Sequence, residues 1–517
     1  MAARARNACV CPKLPLLLPL ALLTLLHVAL VSSANDYYAR WDHLDSRPLP
    51  PWYDQAKVGV LLYWGVFSVP SFGSEWLWYH WKGRQNSLFS DFMRLNFRPN
   101  VTYQEFASGF TCEFYNPERW IDLLVKSGVR YAVFTAKHFE GYTLWPSRRS
   151  WNWNSVDIGS KRDLLGEFAK LLKTTTNIRL GVYYSLYEWF NPLFLDDREN
   201  NFRTNDFIQF KILPELYDVV KRYEPEVVWA DGDWEAPDSY WESTKFLAWL
   251  YSNSTVRDTV VANDRWGKGL WCKHGDFRNC KDGHNPKTLQ KYKFENVMTL
   301  DKPSWGYRRN AQLKDFVTEH ELVVTLVETV SCGGNLLITL GPTHDGRIPM
   351  VFEERLTMLG SWLALHGEAV YNSKPWVAQN DSASSDVWYT TSDFPPPPPP
   401  PPSAEPTPGL EQRDSLFRPK SGPAPTVPPP PPPDKGPVVY AFLVQWPTSG
   451  FLRLGSLLVN KNTHFSLIGH APRLTWKPVG QLVLVDLPPP PINIATRVGV
   501  WVLRVTNVEA APLPGSY

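Results

Sequence analysis

From about residue 57 to 370, short apolar runs alternate with longer stretches whose apolar residues recur near helical spacing. The runs at 58–62, 131–135, 180–184, 226–230, 259–262, 297–300 and 335–340 read as buried strands, and the stretches at 118–126, 163–173, 207–223 and 319–330 as amphipathic helices. This alternation predicts a parallel sheet with helices packed outside it, and about eight such units would close into a (β/α)8-like barrel. Seven strands are legible, so closure is inferred.

After a helix-like stretch at 352–365 the pattern changes to short β-type runs at 387–390, 438–446, 452–458, 465–468, 482–485 and 498–505, which predict a C-terminal β-sandwich. A proline-rich insertion interrupts it over 394–436, with pure proline at 395–402 and 428–433. Proline lacks the N–H that a sheet ladder needs, so a disordered, solvated polyproline II loop is expected. At the other end Arg4, Arg6 and Lys13 precede an apolar run from Leu14 to about Val31, and Ser32, Ser33 and Ala34 offer a cleavage site. This reads as a signal peptide over 1–34, with a signal anchor as the alternative. No later run is apolar enough to span a bilayer, so no membrane partner is expected. The expected organisation is thus a leader at 1–34, a barrel at 35–373 and a sandwich at 374–517.

The net charge of +2 carries no clustered basic excess, which argues against nucleic acid as a partner. The 24 Trp, 22 Tyr and 26 Phe offer flat faces suited to the C–H faces of sugars, although most will be core. Entry to the secretory pathway, toward a lysosomal or secreted destination, makes disulfides and N-glycans possible. The sequons begin at Asn100, Asn253 and Asn380, and the closest cysteine pair of the mature chain is Cys272 and Cys280.

The residues just past each strand carry the chemistry. Tyr63-Trp64-Gly65, Lys137-His138, Tyr184-Ser185, Asp231-Gly232-Asp233 and Asn263-Asp264-Arg265-Trp266 all sit at strand C-terminal ends, the face where a barrel builds its active site. The run from Val227 that ends in Asp231 would deliver a carboxylate there; alone, it could equally be a strand with an Asp-Gly turn.

These clusters, together with the segments 58–70, 74–76, 304–308 and 333–337, resemble those of the α-L-fucosidases of glycoside hydrolase family 29. The resemblance runs in order from about residue 38 to the C-terminus apart from the proline insertion, and is greatest to the animal lysosomal and plasma members. It implies a barrel with a C-terminal β-sandwich, a homo-oligomer, and a retaining hydrolase that takes terminal α-L-fucose from glycoproteins and glycolipids with neither cofactor nor metal. Retention uses two carboxyl groups about 5–5.5 Å apart, one the nucleophile and the other acid then base. By its place in the motif Asp231 matches the nucleophile. For the acid/base the candidates are Asp276, Asp282 and Glu295; Asp282 best matches the animal pattern, and Glu295 is the alternative, read more readily as structural. Substrate contacts carry over to Tyr63, Glu75, Trp76, His138, Tyr184, Arg265 and Trp305.

Two departures matter. Tyr63 and Phe139 stand where the family has histidines that pair with sugar hydroxyls, and a phenyl ring can neither donate nor accept. An abandoned buried polar group costs roughly 1–3 kcal/mol, so weaker fucose binding and reduced activity are expected. The alternative function is therefore a catalytically impaired, fucosidase-like glycan-binding glycoprotein. A zinc site from Cys272, His274, Cys280 and His284 competes with the disulfide, but its spacing fits no common zinc pattern. No Gly-x-Ser-x-Gly elbow supports serine catalysis.

Overall fold

The computed structural model describes residues 36–392 and 437–510; the leader expected over 1–34 and the insertion expected over 394–436 lie outside the described residues. Seven parallel strands form one sheet: β1 (Val58–Leu62), β2 (Tyr131–Lys137), β3 (Arg179–Ser185), β4 (Val227–Asp231), β5 (Val261–Ala262), β6 (Glu295–Thr299) and β7 (Asn335–Leu340). Their order is β5-β4-β3-β2-β1-β7-β6, which leaves β5 and β6 as the edges. The space between those edges is filled by an irregular segment instead of an eighth strand. Asp276 N donates to Ala262 O at 3.0 Å on the β5 side, while Arg278 N donates to Lys293 O and Glu295 N to Arg278 O, each at 3.0 Å, on the β6 side. The segment thereby satisfies backbone groups that an open edge would leave unpaired.

Because side chains alternate across a strand, each run feeds two layers. Leu61, Tyr63, Tyr131, Val133, Tyr183, Val227, Trp229 and Leu337 pack inside the barrel. Val60, Leu62, Ala132, Phe134, Val182, Tyr184, Val228 and Ile338 face the outer helices. Gly59 makes room inside: a Cβ there would lie 2.3 Å from the Tyr131 ring. The outer helices begin and end on local signals. Helix Pro117–Ser127 is capped by Asn116, opens on proline and stops at Gly128, whose φ is 78°.

The C-terminal strands form a six-stranded and a three-stranded antiparallel sheet. Strand Val438–Leu443 shows why they dock on the barrel: Val438, Tyr440 and Phe442 join the barrel's outer core, whereas Val439, Ala441 and Leu443 fill the sandwich. Trp362, on barrel helix Met350–His366, donates to Val500 O at 3.0 Å across the same junction. The runs expected at 452–458 and 498–505 differ in detail. The first is broken into Phe451–Leu454 and Leu457–Leu467, and the second opens with helix Ile494–Val498, ended by Gly499 at φ 77°.

Candidate active site

Asp231 is the last residue of β4, and Gly232 turns the chain away behind it at φ 79°, where a side chain would also collide with Phe139 and Tyr187. The residue is 5 % exposed and lines a cavity of about 250 Å³ at the C-terminal end of the sheet, shared with Tyr63, Glu75, Trp76, Phe139, Trp234, Arg265, Trp271, Asp282 and Trp305. Two donors hold it: Tyr183 Oη at 2.7 Å on Oδ2 and Arg265 Nη1 at 2.9 Å on Oδ1. Burial pushes its carboxyl above the ordinary value, while the Arg265 charge and the Tyr183 hydroxyl oppose that shift and favour the anion.

Arg265 also reaches Asp282 through Nη2, so one guanidinium touches both carboxylates. Its plane lies between two indoles, 4.8 Å from the Trp229 ring centre and 4.7 Å from that of Trp271. Asp282 is the more solvated acid, its side chain 55 % exposed against 8 % for Asp231. It follows a loop joined by a disulfide between Cys272 and Cys280 (Cα–Cα 4.4 Å), which leaves neither sulfur as a thiolate for zinc. Asp264 anchors the loop by accepting from Cys272 N at 2.7 Å and Cys280 N at 3.0 Å.

The other two acids are placed elsewhere. Glu295, the alternative acid/base, is fully buried inside the barrel, where Tyr53, Tyr131, Trp229 and Asn279 donate to it at 2.7, 2.6, 2.9 and 3.2 Å. With both oxygens engaged and no place in the cavity wall, it cannot meet a substrate. Asp276 is likewise occupied, by Arg47, Tyr251 and Ala262 N.

Of the expected sugar contacts, Tyr63, Glu75, Trp76, Arg265 and Trp305 line the cavity. Glu75 Oε2 accepts from Ser304 Oγ at 2.8 Å and from the N–H groups of Trp305 and Gly306 at 3.1 and 3.3 Å, which fixes its carboxylate in the wall. His138 is buried edge-on to Tyr63, with Nδ1 2.6 Å from Glu140 Oε2 and Nε2 without a partner. Tyr184 is a correction. Alternation turns it outward, where its hydroxyl donates to Glu215 at 2.8 Å beneath Lys137, and the tyrosine that reaches Asp231 is Tyr183. In the structure Trp229 and Tyr183 share the inner face with Asp231, an assignment that alternation alone leaves open because it does not say which face of β3 is inward. Trp234 and Trp271 carried no comparable sequence signal. Phe139 stands in the wall with its ring centre 4.9 Å from both Trp76 and Tyr187, an apolar panel. Among the sequons, Asn100 and Asn253 are exposed, whereas Asn380 Nδ2 donates to Ser385 O at 2.8 Å and Val387 O at 3.0 Å.

Comparison with known proteins places this site in a family. The alpha-L-fucosidase family model matches residues 24–368, and the model of the alpha-L-fucosidase C-terminal domain matches residues 432–506. An alpha-L-fucosidase of Branchiostoma floridae is 47% identical over 491 residues, covering 95% of this chain and all of that protein. The human plasma alpha-L-fucosidase is 46% identical over 478 residues, 92% of this chain and 94% of its own length. Among solved structures, the Thermotoga maritima alpha-fucosidase bound to a mechanism-based inhibitor superimposes with a TM-score of 0.71 at 26% identity, covering 91% of this chain and all of that one.

Proposed function

The chain belongs to the α-L-fucosidase family, and on that premise we propose that Asp231 and Asp282 are the carboxyl pair through which it works. It is a glycoside hydrolase that releases terminal α-L-fucose from glycoproteins and glycolipids with retention of configuration, by way of a covalent fucosyl–enzyme intermediate.

In the first step an Asp231 oxygen attacks the anomeric carbon while Asp282 gives its proton to the departing glycosidic oxygen, so the C–O bond breaks as the ester forms. In the second, Asp282 takes a proton from water, the water oxygen attacks the anomeric carbon, and the ester bond breaks to return Asp231 as a carboxylate. Arg265 touches a different acid of the pair in each step. While Asp231 is an anion, the guanidinium and the Tyr183 hydroxyl stabilise it. Once Asp231 is esterified its charge is gone, and the same guanidinium keeps Asp282 as its ion partner during the step that requires a carboxylate there.

The observation that carries this reading is the single Arg265 guanidinium in contact with both acids at the wall of a cavity lined largely by aromatic rings. Glu75 is positioned to accept from sugar hydroxyls, Trp76 and Trp305 to face the apolar ring and methyl group, and Tyr63 to pair as the departed histidine would. Domain limits of 35–373 and 374–517 and entry to the secretory pathway belong to the same reading, supported by the basic–apolar N-terminus and by relatives named for plasma and tissue. The test is hydrolysis of 4-nitrophenyl α-L-fucoside by the pure protein. Turnover that disappears in Asp231→Asn is expected, and equal rates for both proteins would sink the reading.

A further inference from the structure

Asp233 lies two residues past Asp231, fully buried, and is not part of the cavity wall. Among the described residues it has no ion pair; its oxygens receive Trp271 Nε1 at 2.9 and 3.0 Å and Gly267 N at 3.1 Å. A buried carboxylate held only by neutral N–H groups costs folding free energy, which a simple turn residue at a solvated strand end would avoid. What it holds is one side of the Arg265 sandwich. The other side is Trp229, whose Nε1 is held in turn by buried Glu295 at 2.9 Å. Each indole against the guanidinium is therefore pinned at its nitrogen by a buried acid, while Arg265 Nε has no hydrogen-bond partner of its own among the described residues. The plane of the guanidinium is set by the two rings and the two carboxylates alone.

We propose that Asp233 is a positioning residue: by holding the Trp271 indole against Arg265 it fixes the guanidinium in the one orientation that reaches Asp231 and Asp282 together. Trp271 is only partly buried, so without its nitrogen anchored the ring is free to turn out of the cavity wall. Arg265 would then lose one desolvated ring face and tilt away from one acid or the other. This rests on the assignment of Asp231 and Asp282 above.

The test uses Trp271→Phe, which keeps an aromatic face and removes the N–H, and Asp233→Asn, which keeps the shape and removes the charge. With 4-nitrophenyl α-L-fucoside, Trp271→Phe is expected to lose roughly tenfold to hundredfold in kcat, as small misplacements of reacting groups do, with KM held within about threefold. Its pH–rate profile is expected to change as well, and although the lost hydrogen bond to buried Asp233 lowers the thermal midpoint, the variant is expected to stay folded at the assay temperature. A wild-type kcat and pH profile in Trp271→Phe, or a kcat loss that only follows the fraction unfolded, overturns the proposal. If Asp233→Asn fails to fold, Trp271→Phe decides alone. Asp231→Gly separates the layers: an inactive Asp231→Gly beside a wild-type-like Trp271→Phe rejects only the positioning role, whereas an active Asp231→Gly rejects the underlying assignment.

Discussion

The Tyr183 hydroxyl sits 2.7 Å from Asp231 Oδ2 and 3.1 Å from the Tyr63 hydroxyl, so a phenol donates to the carboxylate that the mechanism needs as an anion. Removing that donor in Tyr183→Phe is expected to lower kcat by roughly tenfold or more, in line with about 1.5–3 kcal/mol for a hydrogen bond to a charged group. Tyr184→Phe is the matched control. It loses a hydrogen bond to Glu215 in the outer layer, about 1 kcal/mol, and is expected to lower thermal stability with kcat unchanged. Steady-state kinetics and thermal unfolding of the two variants check this, and the reverse pattern would refute it.

Asp282 and Glu295 separate by rescue. Asp282→Ala is expected to be slow on ordinary fucosides and to recover when azide is added with a good leaving group, because azide attacks the fucosyl ester without needing a base. Glu295→Ala leaves three buried donors, on Tyr53, Tyr131 and Trp229, without their acceptor, while Asn279 Nδ2 keeps the backbone oxygen of residue 295. At roughly 1–3 kcal/mol for each unsatisfied group the expected result is lost stability, with no azide rescue. Rescue of Glu295→Ala instead would reverse the assignment.

Burial, together with the nearby Asp231 charge, pushes Asp233 up from 3.8 to about 7. Between those values the folded protein keeps a proton that the unfolded chain has released. Stability is therefore expected to fall as pH rises from about 4 to about 7, by at most roughly 4 kcal/mol, and to level off above. Asp233→Asn cannot titrate and should gain on wild type across that window. Denaturant unfolding at pH 4.5 and 7.5 measures it, and parallel curves would rule out the shift.

Phe139 fills the place of a polar side chain with an apolar panel against Trp76 and Tyr187. Phe139→His restores a donor, and fucose is expected to inhibit the variant at least about fivefold more tightly, in line with about 1 kcal/mol for a regained hydrogen bond. An unchanged inhibition constant would show that the aromatic wall does not limit sugar binding.

The strands and outer helices were legible in the sequence because each buries a face with a fixed period. Period 2 puts Tyr183 and Tyr184 on opposite faces of β3 but does not say which face is inward, so the sequence reading favours Tyr184 where the structure brings Tyr183 to Asp231. The segment at 276–278 was not legible, since it completes the sheet through a few backbone hydrogen bonds and has no apolar run of its own. Nor were Trp271 and Trp234. Their places depend on a disulfide loop and a turn that fold back over the sheet, contacts without a local pattern. Glu295 was ambiguous for a related reason: sequence gives an acid at a strand start, and only the four donors that converge on it reveal that it is sealed.

The proposed mechanism turns on Asp231 becoming esterified to the sugar. Incubation with 2-deoxy-2-fluoro-α-L-fucosyl fluoride slows release of the intermediate, and proteolysis with mass spectrometry then locates the attached sugar. The expected result is one fluorofucosyl group on the peptide containing Asp231, absent from Asp231→Asn. A label on Asp282, Asp233 or any other residue, or inactivation without a label, is incompatible with Asp231 as the nucleophile.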